Sequence, residues 1–326
     1  MELSSIGLGT YLGDPGPAVD AGYADSARAF AAAGGTVFDT AANYRMGQSE
    51  RALGRVFRDL PRESFFVSTK AGYLPMADGV TRETPRAWFQ RVLAGPGVLG
   101  AEEVVDGCHA MTPRYLAHQL AVSLEALQVA RVDLFHLHNP EHQRPALGPE
   151  KFREAMLRAF EACERMAAEG RIGAYGCATW NGFRVPPEAA DHLGLEALLE
   201  AALDVGGKGH HFRWIQLPLN LAQPEAFVLA TQPFRGERLT PLAAARAAGL
   251  QVQVSASLMQ ARILSHPSGA ELPGCRTPAQ VALQFARSCP GVATALCGMS
   301  HPEHVAENLE LLGLPKAGPE ELIALL

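Results

Sequence analysis

The sequence lacks several features that would direct a reading away from an ordinary globular protein. Its six cysteines, Cys108, Cys163, Cys177, Cys275, Cys289 and Cys297, never form a CxxC pair. That spacing argues against a disulfide framework and against a thiolate zinc site, so the thiols are expected to be reduced and mostly buried. No run of residues approaches the ~20 apolar positions of a membrane span. The opening stretch MELSSIGLGTYLG has neither the basic nor the apolar region of a secretory signal, and a cytoplasmic location is expected. Basic charge is not in excess: 28 Lys and Arg face 34 Asp and Glu, for a formal charge of −6. No global positive field exists to gather nucleic acid or anionic lipid, so neither a nucleic acid nor a membrane is expected as partner. No low-complexity tract or charge run marks a linker.

What is present points to a large core. The 326 residues are 48% hydrophobic and 19% charged. A single core stops growing near ~250–300 residues, so the length allows one large domain or two ordinary ones. Short apolar runs alternate with longer Ala/Leu-rich helical stretches. The strand candidates are SIGLGT from Ser4, TVFDTA from Thr36, FFVSTKAG from Phe65, VDLFHLH from Val132, IGAYGCAT from Ile172, WIQLPLN from Trp214, QVQVSAS from Gln251 and ATALCG from Ala293. Helices are expected over 20–34, 48–60, 113–128, 149–169, 193–204, 239–248, 278–288 and 302–312, with stops at Gly34, Gly170, Gly249 and Gly313. Strands apolar on both faces belong in a parallel sheet covered by helices. Eight of them predict an α/β fold, a (β/α)8 TIM barrel in a single domain spanning 1–326; an open doubly wound sheet is the alternative. A long insertion, 72–112, follows the third strand, and 220–238 and 258–277 are also long.

In such a barrel the active site lies at the carboxyl ends of the strands. Ionisable residues there are Asp39 after the second strand, Tyr44 in the following loop, Lys70 at the end of the third strand and His138 at the end of the fourth. A lysine cation beside a tyrosine favours the phenolate and makes the phenol a usable acid, an aspartate holds the lysine, and a histidine can donate to a carbonyl oxygen. The set suits protonation of an oxygen while a hydride reaches its carbon. No side chain supplies a hydride, so a nicotinamide or flavin is implied. His136 and His138 form an HxH pair, which raises a barrel metal-dependent hydrolase as a remote alternative. Strands five, six and eight end in CAT, LPLN and LCG, and His210 and His211 precede the sixth strand. Further metal ligands are therefore missing, no metal is expected, and His136 reads as a packed or hydrogen-bonded barrel residue.

The segments IGLGTY at Ile6, FDTAANYRMGQSERALG at Phe38, FFVSTKAGY at Phe65, SLEALQVARVDLFHLHNPE at Ser123 and TPAQVALQFARSCPGVATALCGMSHPEHVAENLELL at Thr277 together resemble the aldo-keto reductase superfamily over almost the whole chain. The resemblance implies a (β/α)8 barrel, an NADPH cofactor and a catalytic set of Asp39, Tyr44, Lys70 and His138. It implies cofactor contacts from Gly9, Thr10, Asp39, Thr179, Gln216, Ser255, Leu258, Gln260, Gly298, Met299, Ser300, His304, Glu307 and Asn308. The loop after the seventh strand, ASLMQARIL, lacks the family's glycine, so Leu258 and Gln260 match the pattern more weakly, and three substitutions also depart from it. Ala178-Thr179 replaces Ser-Asn. Ser255 replaces the aromatic residue that stacks on the nicotinamide, so face stacking is either absent or supplied by another residue such as Trp180 or Trp214. His304 replaces an arginine near the adenine end, which leaves NADH possible beside NADPH/NADP. Tyr11, Trp88, Phe89, Asn139, Trp180 and Asn181 are the candidate substrate-lining residues. The expected activity is NAD(P)H-dependent hydride transfer with an aldehyde, ketone or sugar, with Tyr44 as general acid and base. A cofactor-binding regulatory subunit with little turnover is the alternative that the three departures favour.

Overall fold

The computed structural model describes residues 1–75, 83–265 and 271–326. Strands β1 (Ile6–Gly9), β2 (Val37–Asp39), β3 (Phe66–Ala71), β4 (Val132–His138), β5 (Ile172–Ala178) and β6 (Phe212–Pro218) are followed by a hairpin, β7 (Gln232–Phe234) and β8 (Glu237–Leu239), and then by β9 (Gln251–Ser255) and β10 (Val292–Gly298). All except the hairpin pair in parallel and close into a barrel in the order β1-β10-β9-β6-β5-β4-β3-β2. This is the (β/α)8 architecture that the β/α alternation predicts. Both faces of most strand positions are buried, one against the barrel interior and one against helices.

The helices are α1 (Pro17–Ala32), α2 (Gln48–Phe57), α3 (Pro85–Phe89), α4 (Pro113–Leu127), α5 (Arg144–Ala168), α6 (Leu195–Gly206), α7 (Glu225–Val228), α8 (Pro241–Ala247), α9 (Pro278–Ser288), α10 (Pro302–Leu309) and α11 (Pro319–Ile323). Four of them begin with a Thr-Pro dipeptide. Thr84, Thr112, Thr240 and Thr277 each accept the N–H three residues on, and the proline occupies the first helical position, where a missing N–H costs nothing.

Several expected boundaries move. The helix expected over 239–248 starts only at Pro241, because Leu239 closes β8. The helix expected from 149 begins at Arg144 and runs through a break at Gly148 (φ 72°) ahead of Pro149. The long loop 220–238 contains α7 and the β7–β8 hairpin, whose two turn residues, Arg235 and Gly236, both have positive φ, as a tight hairpin turn requires. All six cysteines carry free thiols.

The insertion 72–112 builds a small core of its own, Leu74, Trp88, Leu93, Leu99 and Ala110, closed by Tyr115 of α4. Residues 76–82 of that insertion and 266–270 of the loop 258–277 lie outside the described residues. Among the described residues no helix is long and apolar enough to cross a membrane.

Candidate active site

Strand register assembles the polar centre. Asp39 ends β2 opposite Ser68 of β3, and Lys70 lies two residues along on the same face. Lys70 Nζ donates to Asp39 Oδ2 at 2.6 Å and to the Thr40 carbonyl at 2.8 Å. Ser68 Oγ donates to Asp39 Oδ1 at 2.6 Å and Gln216 Nε2 donates to the same oxygen at 3.0 Å. Gln253 Oε1 accepts from Gln216 Nε2 and from His136 Nε2, both at 3.0 Å. The network spans five strands and satisfies a buried ion pair that would otherwise be costly. His136 is therefore a hydrogen-bonded barrel residue, and burial pushes its pKa down to about 4.

Tyr44 sits above this network in a turn, Tyr44–Gly47, where Arg45 and Met46 take left-handed backbone conformations. The turn is held by the buried Arg45 guanidinium, which donates to Asp20 Oδ1 at 2.5 Å and to the carbonyls of Asp14 and Gly16. Lys70 Nζ lies 4.9 Å from the Tyr44 ring centre. Burial raises the phenol above its ordinary range and outweighs the opposing Lys70 charge. That reverses the depressed pKa expected from the lysine alone and keeps the phenol protonated at neutral pH. Burial alone would lower the Lys70 ammonium, but Asp39 and Tyr44 outweigh it, so its pKa is raised and the cation persists. His138 stands edge-on to Tyr44 with ring centres 5.8 Å apart. Burial first, then the Lys70 charge, lower its pKa well below the ordinary value, and the imidazole is neutral.

These groups open onto a cavity of about 970 Å3. Asp39, Tyr44 and His138 line one end, and Glu307 and Asn308 of α10 line the other. Of the candidate cofactor residues, Gly9, Thr10, Thr179, Gln216, Ser255 and Leu258 reach its wall. So do Gln260, Gly298, Ser300 and His304. Met299 does not: its side chain is fully buried in the core. Of the candidate substrate residues, Tyr11, Asn139 and Trp180 line the cavity. Trp88 and Phe89 instead fill and flank the insertion's own core. Asn181 points elsewhere, donating to Asp191 at 3.2 Å. Trp214 also falls away from the cavity, because it lies at the amino end of β6 with its ring against Phe66 of β3.

Sequence reasoning missed Tyr73, Asn43, Ser68 and Gln253. Ser68 and Gln253 carried a signal, since each lies two residues before a strand-end position already singled out, Lys70 or Ser255, and so shares its face. Tyr73 had only its place three residues after Lys70, in a loop whose path the sequence does not reveal.

A closed parallel barrel with an Asp-Lys pair beneath a Tyr and a His at its carboxyl rim fits what the chain is most similar to. A sequence model described as the aldo/keto reductase family matches residues 5–195, more than half of the protein, and the chain belongs to that family. Among curated relatives, a D-threo-aldose 1-dehydrogenase of Pseudomonas sp is 34% identical over 147 residues, which is 44% of this chain and 40% of that protein. The chain thus spans less than half of that relative. A putative voltage-gated potassium channel subunit beta of Schizosaccharomyces pombe is 25% identical over 312 residues, 87% of this chain and 77% of that protein. Among solved structures, an aldo/keto reductase from Klebsiella pneumoniae in complex with NADP and acetate superposes with a TM-score of 0.63 at 23% identity, covering 99% of this chain and 90% of that one. At that identity the likeness establishes the fold.

Proposed function

We propose that the protein is an NAD(P)H-dependent oxidoreductase acting at a carbonyl or alcohol carbon of an aldehyde, ketone or sugar, with Tyr44 as general acid and base. The observation that carries this reading is the placement of the Tyr44 ring at the cavity wall, 4.9 Å from Lys70 Nζ and 5.8 Å from the His138 ring centre, with Lys70 held 2.6 Å from Asp39. When bound, the nicotinamide supplies or accepts the hydride.

The cavity's residues fit such a group. Gln216 Nε2 is already engaged by Asp39 and Gln253, which leaves its Oε1 to accept from a carboxamide. Asn308 Oδ1 is buried without a partner at the far end, as an acceptor for an exocyclic amine would be. Ser300 and the start of α10 stand where a phosphate would meet backbone N–H groups. The large volume supports a dinucleotide with a small substrate, since pockets for drug-sized molecules run to roughly 1,000 Å3.

In the reducing direction Tyr44 gives its proton to the substrate oxygen, and the Lys70 cation stabilises the phenolate that remains. Asp39 keeps Lys70 charged and in place. The neutral His138 offers an N–H to the same oxygen and orients the carbonyl. A positioned general acid contributes ~10²–10⁴-fold, about 3–5 kcal/mol of barrier. Tyr44→Phe is expected to lose at least that factor in kcat while still quenching tryptophan fluorescence on titration with NADPH or NADH. Near-wild-type turnover would overturn the assignment. The regulatory reading draws support from Ala178, Ser255 and His304, and it predicts tight nucleotide binding with negligible turnover across a panel of aldehydes and sugars.

A further inference from the structure

Tyr44 opens a turn whose backbone is strained. Arg45, Met46 and Gly47 take left-handed conformations in succession, with φ of 50°, 56° and 77°. Glycine adopts that region freely, whereas an arginine and a methionine hold it only where their surroundings over-determine it. Met46 is 43% exposed and supplies no such constraint. The Arg45 side chain is only 1% exposed, a degree of burial that a permanent cation reaches only when it is paired. Its Nη2 donates to Asp20 Oδ1 at 2.5 Å, to the Asp14 carbonyl at 3.3 Å and to the Gly16 carbonyl at 3.4 Å. Nε donates to the Asp14 carbonyl as well, at 3.4 Å. The guanidinium also lies over the Tyr23 ring, 5.4 Å from its centre.

These partners belong to two segments outside the turn. Asp20 and Tyr23 lie on α1, and Asp14 and Gly16 lie in the loop after β1, where Thr10, Tyr11 and Leu12 line the cavity. That loop is fastened at two further points, since Tyr23 Oη donates to the Leu12 carbonyl at 2.9 Å and Ser49 Oγ of α2 donates to the Thr10 carbonyl at 2.7 Å. Tyr11 meets the Tyr44 ring edge-on, with centres 5.0 Å apart. One guanidinium therefore secures both the backbone directly after Tyr44 and the loop that packs on its ring. Asp20 accepts from Arg55 of α2 on its other oxygen at 3.0 Å, but the Arg55 side chain is half-exposed.

We propose that Asp20 and Arg45 are positioning residues for proton transfer: the buried ion pair fixes the Tyr44 phenol beside Lys70 and His138, and turnover depends on it although neither residue is among those that line the cavity. The proposal rests on the assignment of Tyr44 as general acid and base. A misplacement of a reacting group by about 1 Å can cost ~10²-fold in rate, so relaxation of the strained turn is enough to disable the phenol without touching the nucleotide.

The test is steady-state kinetics on Arg45→Met, which keeps an unbranched stem and removes the donors. Reduction of benzaldehyde and of propanal with NADPH or NADH, and oxidation of ribose with NADP or NAD, identify the fastest wild-type reaction to follow. In the variant kcat is expected to fall ~10–10²-fold, while KM and the NADPH or NADH Kd read from fluorescence quenching stay within about twofold. The solvent deuterium isotope effect on kcat should rise, because slowed proton transfer becomes more fully rate-limiting. A smaller folded fraction would scale kcat and leave that isotope effect unchanged. Arg45→Met leaves the buried Asp20 carboxylate with Arg55 alone, so the double variant Asp20→Asn/Arg45→Met, which removes that charge too, takes its place should the single variant fail to fold. Arg55→Ala removes only the half-exposed partner and should hold kcat within about twofold. Wild-type kcat in the variant lacking Arg45, a loss confined to KM, or an unchanged isotope effect overturns the positioning role and leaves the oxidoreductase reading intact. A wild type that turns over none of the three compounds overturns that reading, and the positioning role with it.

Discussion

Asp39 illustrates how much one side chain does in the polar centre. Its two carboxylate oxygens accept from Lys70, Ser68 and Gln216 at 2.6 to 3.0 Å. Asp39→Asn preserves the shape but turns an amide donor toward the Lys70 ammonium, leaving a buried cation without its counter-charge. Removing one partner of a buried pair typically costs about 3–5 kcal/mol, so a clear fall in the urea midpoint is expected. Without Asp39 the desolvation of Lys70 is no longer outweighed, and its pKa drops from the raised position it now holds. Turnover should fall on the order of 10²-fold with a steeper loss at alkaline pH, where the amine becomes neutral. A variant with an unchanged pH profile would show that Asp39 is only structural.

Loops on neighbouring strands are tied together by a carboxyl group. Glu141, in the turn Pro140–Gln143 after β4, accepts from the backbone N–H groups of Trp180, Asn181 and Gly182 after β5, the first at 2.7 Å. Burial raises its pKa to about 7, against the opposing pull of those N–H groups. A raised carboxyl pKa means that the fold prefers the protonated form. Its stabilising contribution is complete below the unfolded value of 4.5 and is lost as pH rises through about 7. Denaturant-derived stability of the wild type should therefore lose this contribution across that window. Glu141→Gln, which keeps an accepting oxygen but does not titrate, should lack that part of the slope. Parallel curves for the two proteins would sink the assignment. At this scale helix starts were legible from local chemistry at Thr112-Pro113 and Thr277-Pro278, whereas the start at Thr240-Pro241 was read two residues early. The hairpin was not, because Arg235-Gly236 lacks the usual Asn-Gly or Asp-Gly signal.

Across the whole molecule the cavity joins β1, β2, β4, β5, β6, β9, β10 and α10, so a nucleotide bound there clasps both ends of the chain. Ligand that binds only the folded protein stabilises it by RT ln(1 + [L]/Kd), about 2.7 kcal/mol at a hundredfold excess over Kd. NADPH or NADP should raise Tm by several degrees in a concentration-dependent way. No shift with either phosphorylated or unphosphorylated cofactor would remove the dinucleotide assignment. The insertion adds its own small core on α4, and Tyr115 of that helix donates to the Tyr73 carbonyl at 3.0 Å. A distant hydrophobic cluster thus helps to locate a residue on the cavity wall.

The sequence by itself determined the β/α alternation and the placement of Asp39, Lys70 and His138 at strand ends, because strand periodicity and strand ends are local properties; closure into a barrel, against an open doubly wound sheet, is seen only in the strand pairing. Tertiary structure alone decided which residues meet. Gln253 reaches the polar centre only because the barrel closes, with Ser68 and Gln253 brought within 3.4 Å across 185 positions. Trp88 and Phe89 were equally apolar candidates for the cavity and for a separate core, and only the path of the insertion sends them to the latter. Hydrophobicity says that a side chain is buried, and chain topology says against what.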